Sequence, residues 1–121
     1  MRGKSILLVD DSNLIRSRLQ SLLKTLENPG PVREAADYHT ALRLIADTPP
    51  DIILLDINLP GKNGIDLLRH IKIHYPQIIV IMLTNQNSDH YKAVCQKWGA
   101  DYFMDKSKDF EQVPTLISSL L

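Results

Sequence analysis

Short apolar runs alternate along this chain with longer stretches in which apolar residues recur every three or four positions. The runs are Ile6 to Val9, Ile52 to Leu55 and Ile78 to Leu83, with a weaker one at Tyr102 to Met104. Their apolar residues are consecutive rather than alternating, which predicts strands covered on both faces, as in a parallel sheet. Val32 to Ala36 is a fifth candidate, and its Arg33 and Glu34 predict an edge position.

Five helical patterns lie between and after these runs. Leu14, Ile15, Leu19, Leu22, Leu23 and Leu26 follow Ser12, a side chain suited to capping a helix N-terminus. These leucines are read as core, because their stripe is too short for a zipper. Ala41, Leu42, Leu44 and Ile45 mark a second helix that stops before Pro49-Pro50. Ile65, Leu67, Leu68 and Ile71 mark a third, bounded by Asn63-Gly64 and Pro76. The fourth runs from about Ser88 to Trp98 and ends at Gly99, and the fifth covers Val113 to Leu120 with Pro114 in its first turn. No internal repeat and no linker interrupts this order. The alternation predicts an α/β fold, a doubly wound (βα)5 sandwich around a five-stranded parallel sheet with right-handed crossovers.

Composition narrows the class without changing that picture. A chain of 121 residues is read as one domain, residues 1–121, with enough length for a core that needs no disulfide. Fourteen Lys and Arg balance fourteen Asp and Glu, so the electrostatic footprint of a nucleic-acid binder is missing. No apolar stretch approaches the roughly 18 residues of a membrane span. The N-terminus reaches Asp10 too soon to hold a signal peptide's apolar segment. With a single cysteine, Cys95, the chain is expected in the cytoplasm, where thiols stay reduced.

In a doubly wound sheet, ligands bind outside the carboxyl ends of the strands. The first predicted strand ends in Asp10-Asp11, the third in Asp56 and the fourth in Thr84, while the fifth runs into Lys106. Each alone is an ordinary polar loop residue, but together they form a set suited to phosphate and metal chemistry. Clustered carboxylates either raise a pKa or recruit a cation. Carboxylate oxygens without His or Cys suit Mg²⁺, which keeps several waters and takes one or two carboxylates. Lys106 and Thr84 offer a positive charge and a donor for phosphoryl oxygens. A carboxylate can itself be the nucleophile, forming an aspartyl phosphate.

The segments LLVDDS, DIILLDINLPGKNG, IMLTN and DYFMDKS resemble the receiver domain of two-component response regulators, the group that includes the bacterial chemotaxis regulator. The resemblance covers essentially the whole chain, with its motifs in order on the matching elements. It implies a flavodoxin-like sandwich with strand order 2-1-3-4-5. It also implies that Asp56 is the phosphoacceptor, taking a phosphoryl group from the phosphohistidine of a sensor histidine kinase or a histidine phosphotransfer protein. Asp11 would bind Mg²⁺ directly and Asp10 mainly through water, with Asp56 and the backbone carbonyl of Asn58 as further ligands. Lys106 would contact the phosphoryl group or Asp56, and Thr84 would hydrogen-bond a phosphoryl oxygen. Thr84 and Phe103 would form the switch, acting on a surface of the fourth helix, fifth strand and fifth helix that also suits homodimer formation. Such a domain assists its own phosphorylation and slow dephosphorylation without being an enzyme on free substrates.

Three departures from the family pattern bear on this expectation. Ser107 follows Lys106 where many receivers have proline after a cis peptide, so Lys106 either keeps that costly geometry or approaches differently. Asn85 follows Thr84 where a smaller residue is usual, which would restrict Thr84. Phe103 lacks a tyrosine hydroxyl, which leaves ring burial as its switch. Asn58 and Gln86 fall where the family tunes water access to the acyl phosphate.

Other features have plainer readings. His70 and His74, four apart on the third helix, have no third metal ligand in view. Cys95 is read as a semi-buried packing residue and Trp98 as the cover of the fourth helix's end. A phosphohydrolase of the haloacid-dehalogenase type also uses an aspartate and Mg²⁺, but it wants Asp-x-Asp, and Ser12 stands in the third place. No GxxxxGK[ST] follows the first strand, which removes a P-loop nucleotidase. The remaining choice is between a stand-alone regulator and the receiver of a transcription factor with a DNA-binding output domain.

Overall fold

A two-residue periodicity sorts the strand side chains between two cores. A computed structural model describes residues 3–27, 30–86 and 88–121. Its elements are β1 (Ile6–Val9), α1 (Asn13–Leu23), β2 (Val32–Ala35), α2 (Tyr38–Asp47), β3 (Ile52–Leu55), α3 (Gly64–His74), β4 (Ile79–Thr84), α4 (Asp89–Lys97), β5 (Tyr102–Asp105) and α5 (Val113–Leu120). The sheet order is β2-β1-β3-β4-β5, every pairing is parallel, and β2 lies at an edge.

Leu7, Val9, Ile53, Leu55, Val80 and Met82 point to one face, where they meet Ala41, Ile45, Leu67, Leu68, Ile71 and Cys95 of α2, α3 and α4. Ile6, Leu8, Ile52, Leu54, Ile81 and Leu83 point to the other, against Leu19 and Leu23 of α1 and Val113 and Ile117 of α5. Each fully buried Leu or Ile contributes about 2 kcal/mol by leaving water. This two-sided burial is why the strands read as unbroken apolar runs.

Caps set the helix starts. Ser12, Asp37, Asn63 and Ser88 each accept a hydrogen bond from the backbone N–H three residues on. Gly99, with φ of 94°, closes α4 in the left-handed region that glycine tolerates. Among the described residues no helix is long and apolar enough to cross a membrane.

Some expectations shift. The fourth strand begins at Ile79 rather than Ile78, whose N–H instead bonds the Tyr75 carbonyl in the preceding turn at 3.0 Å. The fifth strand continues to Asp105. Not every leucine of α1 is core. Leu14 is 66% exposed, because it shares its helix face with Arg18, Ser21 and Thr25. Cys95 is fully buried rather than semi-buried, and burial pushes its thiol pKa up. That marks a packing residue rather than a reactive thiol.

Candidate functional site

Parallel strands with matched ends bring the post-strand residues to one rim. Asp10 and Asp11 follow β1, Asp56 follows β3, Thr84 ends β4 and Lys106 follows β5. Because β1 and β3 are neighbours, the Asp56 N–H donates to the Val9 carbonyl at 3.0 Å, which seats the two acidic segments side by side. The Lys106 N–H donates to the Thr84 carbonyl, also at 3.0 Å, and aligns the opposite wall.

The side chains then converge. One carboxylate oxygen from each of Asp10, Asp11 and Asp56 lies within 4.8 Å of the other two. Asp10 and Asp56 are 3% and 5% exposed, while Asp11 faces solvent. Lys106 Nζ reaches Asp10 Oδ2 at 2.7 Å and Asp56 Oδ2 at 2.9 Å. The second Asp10 oxygen accepts the Ser12 N–H at 2.8 Å. The second Asp56 oxygen has only a long contact of 3.4 Å from the Asn58 N–H. Asp56 therefore keeps the less committed oxygen of the two.

One ammonium is shared by the two buried carboxylates while Asp11 stands outside the pair, and the protonation equilibria follow. Burial raises the Asp10 carboxyl above its ordinary range; the bonds from Lys106 and Ser12 N–H oppose it, and the charge of Asp56 adds to it. Burial alone would lower the Lys106 ammonium, but its bonds and charge contacts with Asp10 and Asp56 outweigh that and shift it up. The cluster carries surplus negative charge that a divalent cation would balance. Its donors are all hard oxygens, with no His or Cys among them, so the residues present fit Mg²⁺.

Thr84 is fully buried, and its Oγ1 accepts the Gln86 N–H at 3.1 Å. That leaves the hydroxyl's own proton for an oxygen arriving at the rim. The departures at positions 85 and 107 meet each other, with the Ser107 hydroxyl donating to Asn85 Oδ1 at 3.3 Å beside Lys106. No described peptide bond is cis, so Lys106 reaches both aspartates from a trans backbone. Phe103 is half-buried on β5, with Lys92 Nζ of α4 at 6.0 Å from its ring centroid.

Two further residues carry the site through main-chain contacts that the motifs did not assign. Gly64 opens α3 against the chain at Asp56; a Cβ there would sit 1.9 Å from the Asp56 carbonyl oxygen, so only glycine fits. Arg16, a buried arginine of α1, donates to the Asp10 carbonyl. Gly64 had a visible role only as a helix boundary, and a single arginine within an amphipathic helix looks like any solvent-facing one. The His70 and His74 rings lie 4.5 Å apart between centroids and tilted at 45°, and the described groups of three potential metal ligands do not include them. Trp98 caps α4 and lies under Arg69, with 4.3 Å from guanidinium to ring centroid.

Comparison with known proteins agrees with the geometry. The model of the response regulator receiver domain matches residues 6–118. The nitrate/nitrite response regulator protein NarL of Escherichia coli (strain K12) is 32% identical over 111 residues, covering 90% of this chain and 50% of NarL. The chain spans about half the length of the curated relatives it matches. Among solved structures, a two-component response regulator of the LuxR family from Aurantimonas sp. SI85-9A1 superposes with a TM-score of 0.89 at 30% identity, over 98% of this chain and 84% of that one. The Mn²⁺-bound form of response regulator Rcp1 superposes at 0.84 with 25% identity, over 98% and 91%.

Proposed function

The chain belongs to the response regulator receiver domains, and we propose that Asp56 is its phosphoacceptor in a Mg²⁺-dependent transfer from a protein phosphohistidine. The observation that carries this reading is Lys106 bridging two buried carboxylates, of which Asp56 keeps a lightly held oxygen. An Asp56 oxygen attacks phosphorus in line, a P–O bond forms, and the P–N bond to the donor imidazole breaks with its electron pair leaving on nitrogen. The transition state is loose, so positioning and charge neutralisation do most of the work. Lys106 turns its ammonium from the carboxylates toward the equatorial oxygens, and Thr84 donates its hydroxyl proton to one of them. Mg²⁺, when bound, would supply further positive charge to the transfer. Asp10, Asp11, Asp56 and the Asn58 carbonyl are the residues that would hold it, and the Mn²⁺ complex named for Rcp1 supports a divalent cation in this family.

The two adjacent aspartates divide the cation work. Both Asp10 oxygens are already engaged, by Ser12 N–H and Lys106. Asp11 is exposed, and no described residue bonds its carboxylate, which supports Asp11 as the direct ligand and Asp10 as the water-mediated one. Asp11→Ala should therefore raise the Mg²⁺ dissociation constant more than Asp10→Ala, by about tenfold or more. Titration calorimetry measures both, and equal losses would contradict the division.

Phosphorylation then biases the α4-β5-α5 surface. As Thr84 moves to the phosphoryl group, the half-buried Phe103 turns into the space it leaves. A shallow groove of about 490 Å³ between β5 and α5, lined by Phe103, Met104, Gln112 and Leu116, offers that surface to a partner or a second copy. Relatives named as transcriptional regulators extend well beyond the matched segment, which supports a DNA-binding output coupled to this switch as the reading for the whole protein.

The test is phosphoryl uptake from a phosphorylated histidine protein or acetyl phosphate, followed by intact mass. One phosphoryl group per chain with Mg²⁺, and none with chelator, is expected. Uptake indifferent to chelator would overturn the reading.

A further inference from the structure

Arg16 is 9% exposed, and the transfer chemistry above does not use it. Its guanidinium ties three segments together. Nη1 donates to the main-chain carbonyl of Asp10, Nη2 donates to Asn13 Oδ1, and Nε pairs with Glu34 Oε1 of β2 at 2.8 Å. The other Glu34 oxygen accepts from Gln20 Nε2 at 3.1 Å, so the carboxylate is held from two turns of α1. A buried arginine is costly unless its donors are satisfied, and here each bond is charge-assisted.

The location of one of those bonds carries the inference. The Asp10 carbonyl belongs to the planar peptide joining Asp10 to Asp11. Fixing that plane fixes the direction in which the Asp11 Cα leaves it. Asp10 has two other anchors on its side chain, whereas the exposed Asp11 has none among the described residues. The placement of the Asp11 carboxylate near Asp10 and Asp56 therefore depends on its backbone.

We propose that Arg16 is a positioning residue for the cation site, clamping the Asp10-Asp11 peptide to β2 through Glu34. This rests on the Mg²⁺ reading above. Arg33 supplies the contrast. It is a partly buried arginine on the same edge strand, but it donates to the Leu44 and Thr48 carbonyls at the end of α2, away from the site.

The experiment measures the Mg²⁺ dissociation constant by titration calorimetry on the unaltered chain and on Arg16→Met, Arg16→Lys and Arg33→Met. Arg16→Met should raise the constant about tenfold. Arg16→Lys keeps the charge but loses the fork, so it should stay close to Arg16→Met. Arg33→Met should leave the constant unchanged even where it lowers the melting temperature. An unchanged constant in Arg16→Met, or full rescue by lysine, overturns the proposal. If Arg16→Met does not fold, Arg16→Lys decides alone, with weakened binding in support and unchanged binding against. No Mg²⁺ binding by the unaltered chain would instead remove the Mg²⁺ reading and this inference with it.

Discussion

Asp56→Asn is expected to abolish phosphoryl uptake while leaving the domain at least as stable as before. An amide oxygen does not form an acyl phosphate, so the chemistry ends with the carboxylate. Neither remaining carboxylate can take its place. Asp10 has one oxygen on the Ser12 N–H and the other on Lys106, and Asp11, on the exposed loop after β1, lacks the contact with Lys106 that Asp10 and Asp56 have. The variant also removes one of two buried carboxylates that share a single ammonium, which relieves like-charge repulsion. Loss of uptake with an unchanged or higher melting temperature thus separates a lost nucleophile from a lost fold. Uptake at the unaltered rate would place the nucleophile elsewhere in the cluster.

Lys106→Met should have the largest effect on stability. It leaves Asp10 and Asp56 buried together without their cation, and breaking a buried pair in this way costs about 3 kcal/mol. In a domain of this size that lowers the melting midpoint by about 10 °C. The pH dependence gives the loss its signature. The Asp10 carboxyl already titrates above its ordinary range because of burial, and without Lys106 it rises further. A carboxyl whose folded pKa exceeds its unfolded one holds its proton more tightly when folded. The folded state is therefore penalised as pH climbs from about 4 through the raised value. The variant should approach the unaltered chain near pH 4 and fall away toward pH 7 in chelator, with Mg²⁺ closing part of the gap. For Lys106 itself the shift is upward, so its stabilising contribution persists to alkaline pH and is lost only as pH passes its raised pKa. Uptake should also slow by about a hundredfold, the usual effect of removing one charge-stabilising donor. Equal melting temperatures at pH 7 in chelator would mean that the ammonium does not compensate the carboxylates.

Much of this architecture is visible in the residues themselves. β1 and β3 fall at Ile6–Val9 and Ile52–Leu55 as read from their unbroken apolar runs, since burial on both faces leaves no room for polar alternation. The cap at Ser12 and the glycine at 99 mark helix ends because each satisfies a local backbone need. Convergence of Asp10, Asp11, Asp56, Thr84 and Lys106 follows from strand order alone, once the sheet is parallel. What stayed hidden is what depends on distance in space. Ser107 and Asn85 looked like two separate departures, yet they bond across neighbouring loops. Leu14 looked like core by type but sits on the polar face of α1. Gly64 and Arg16 serve the site through backbone atoms of Asp56 and Asp10, and contacts to the main chain leave no pattern of residue types to read.

One carboxylate, Asp56, is proposed to receive the phosphoryl group with Mg²⁺ present. Borohydride reduction after phosphorylation tests it most directly, because it converts an acyl phosphate, but not a free carboxylate, into an alcohol. Peptide mass spectrometry should then find homoserine at position 56, only in samples given both donor and Mg²⁺. Homoserine at position 10 or 11, or at 56 regardless of Mg²⁺, would contradict the account.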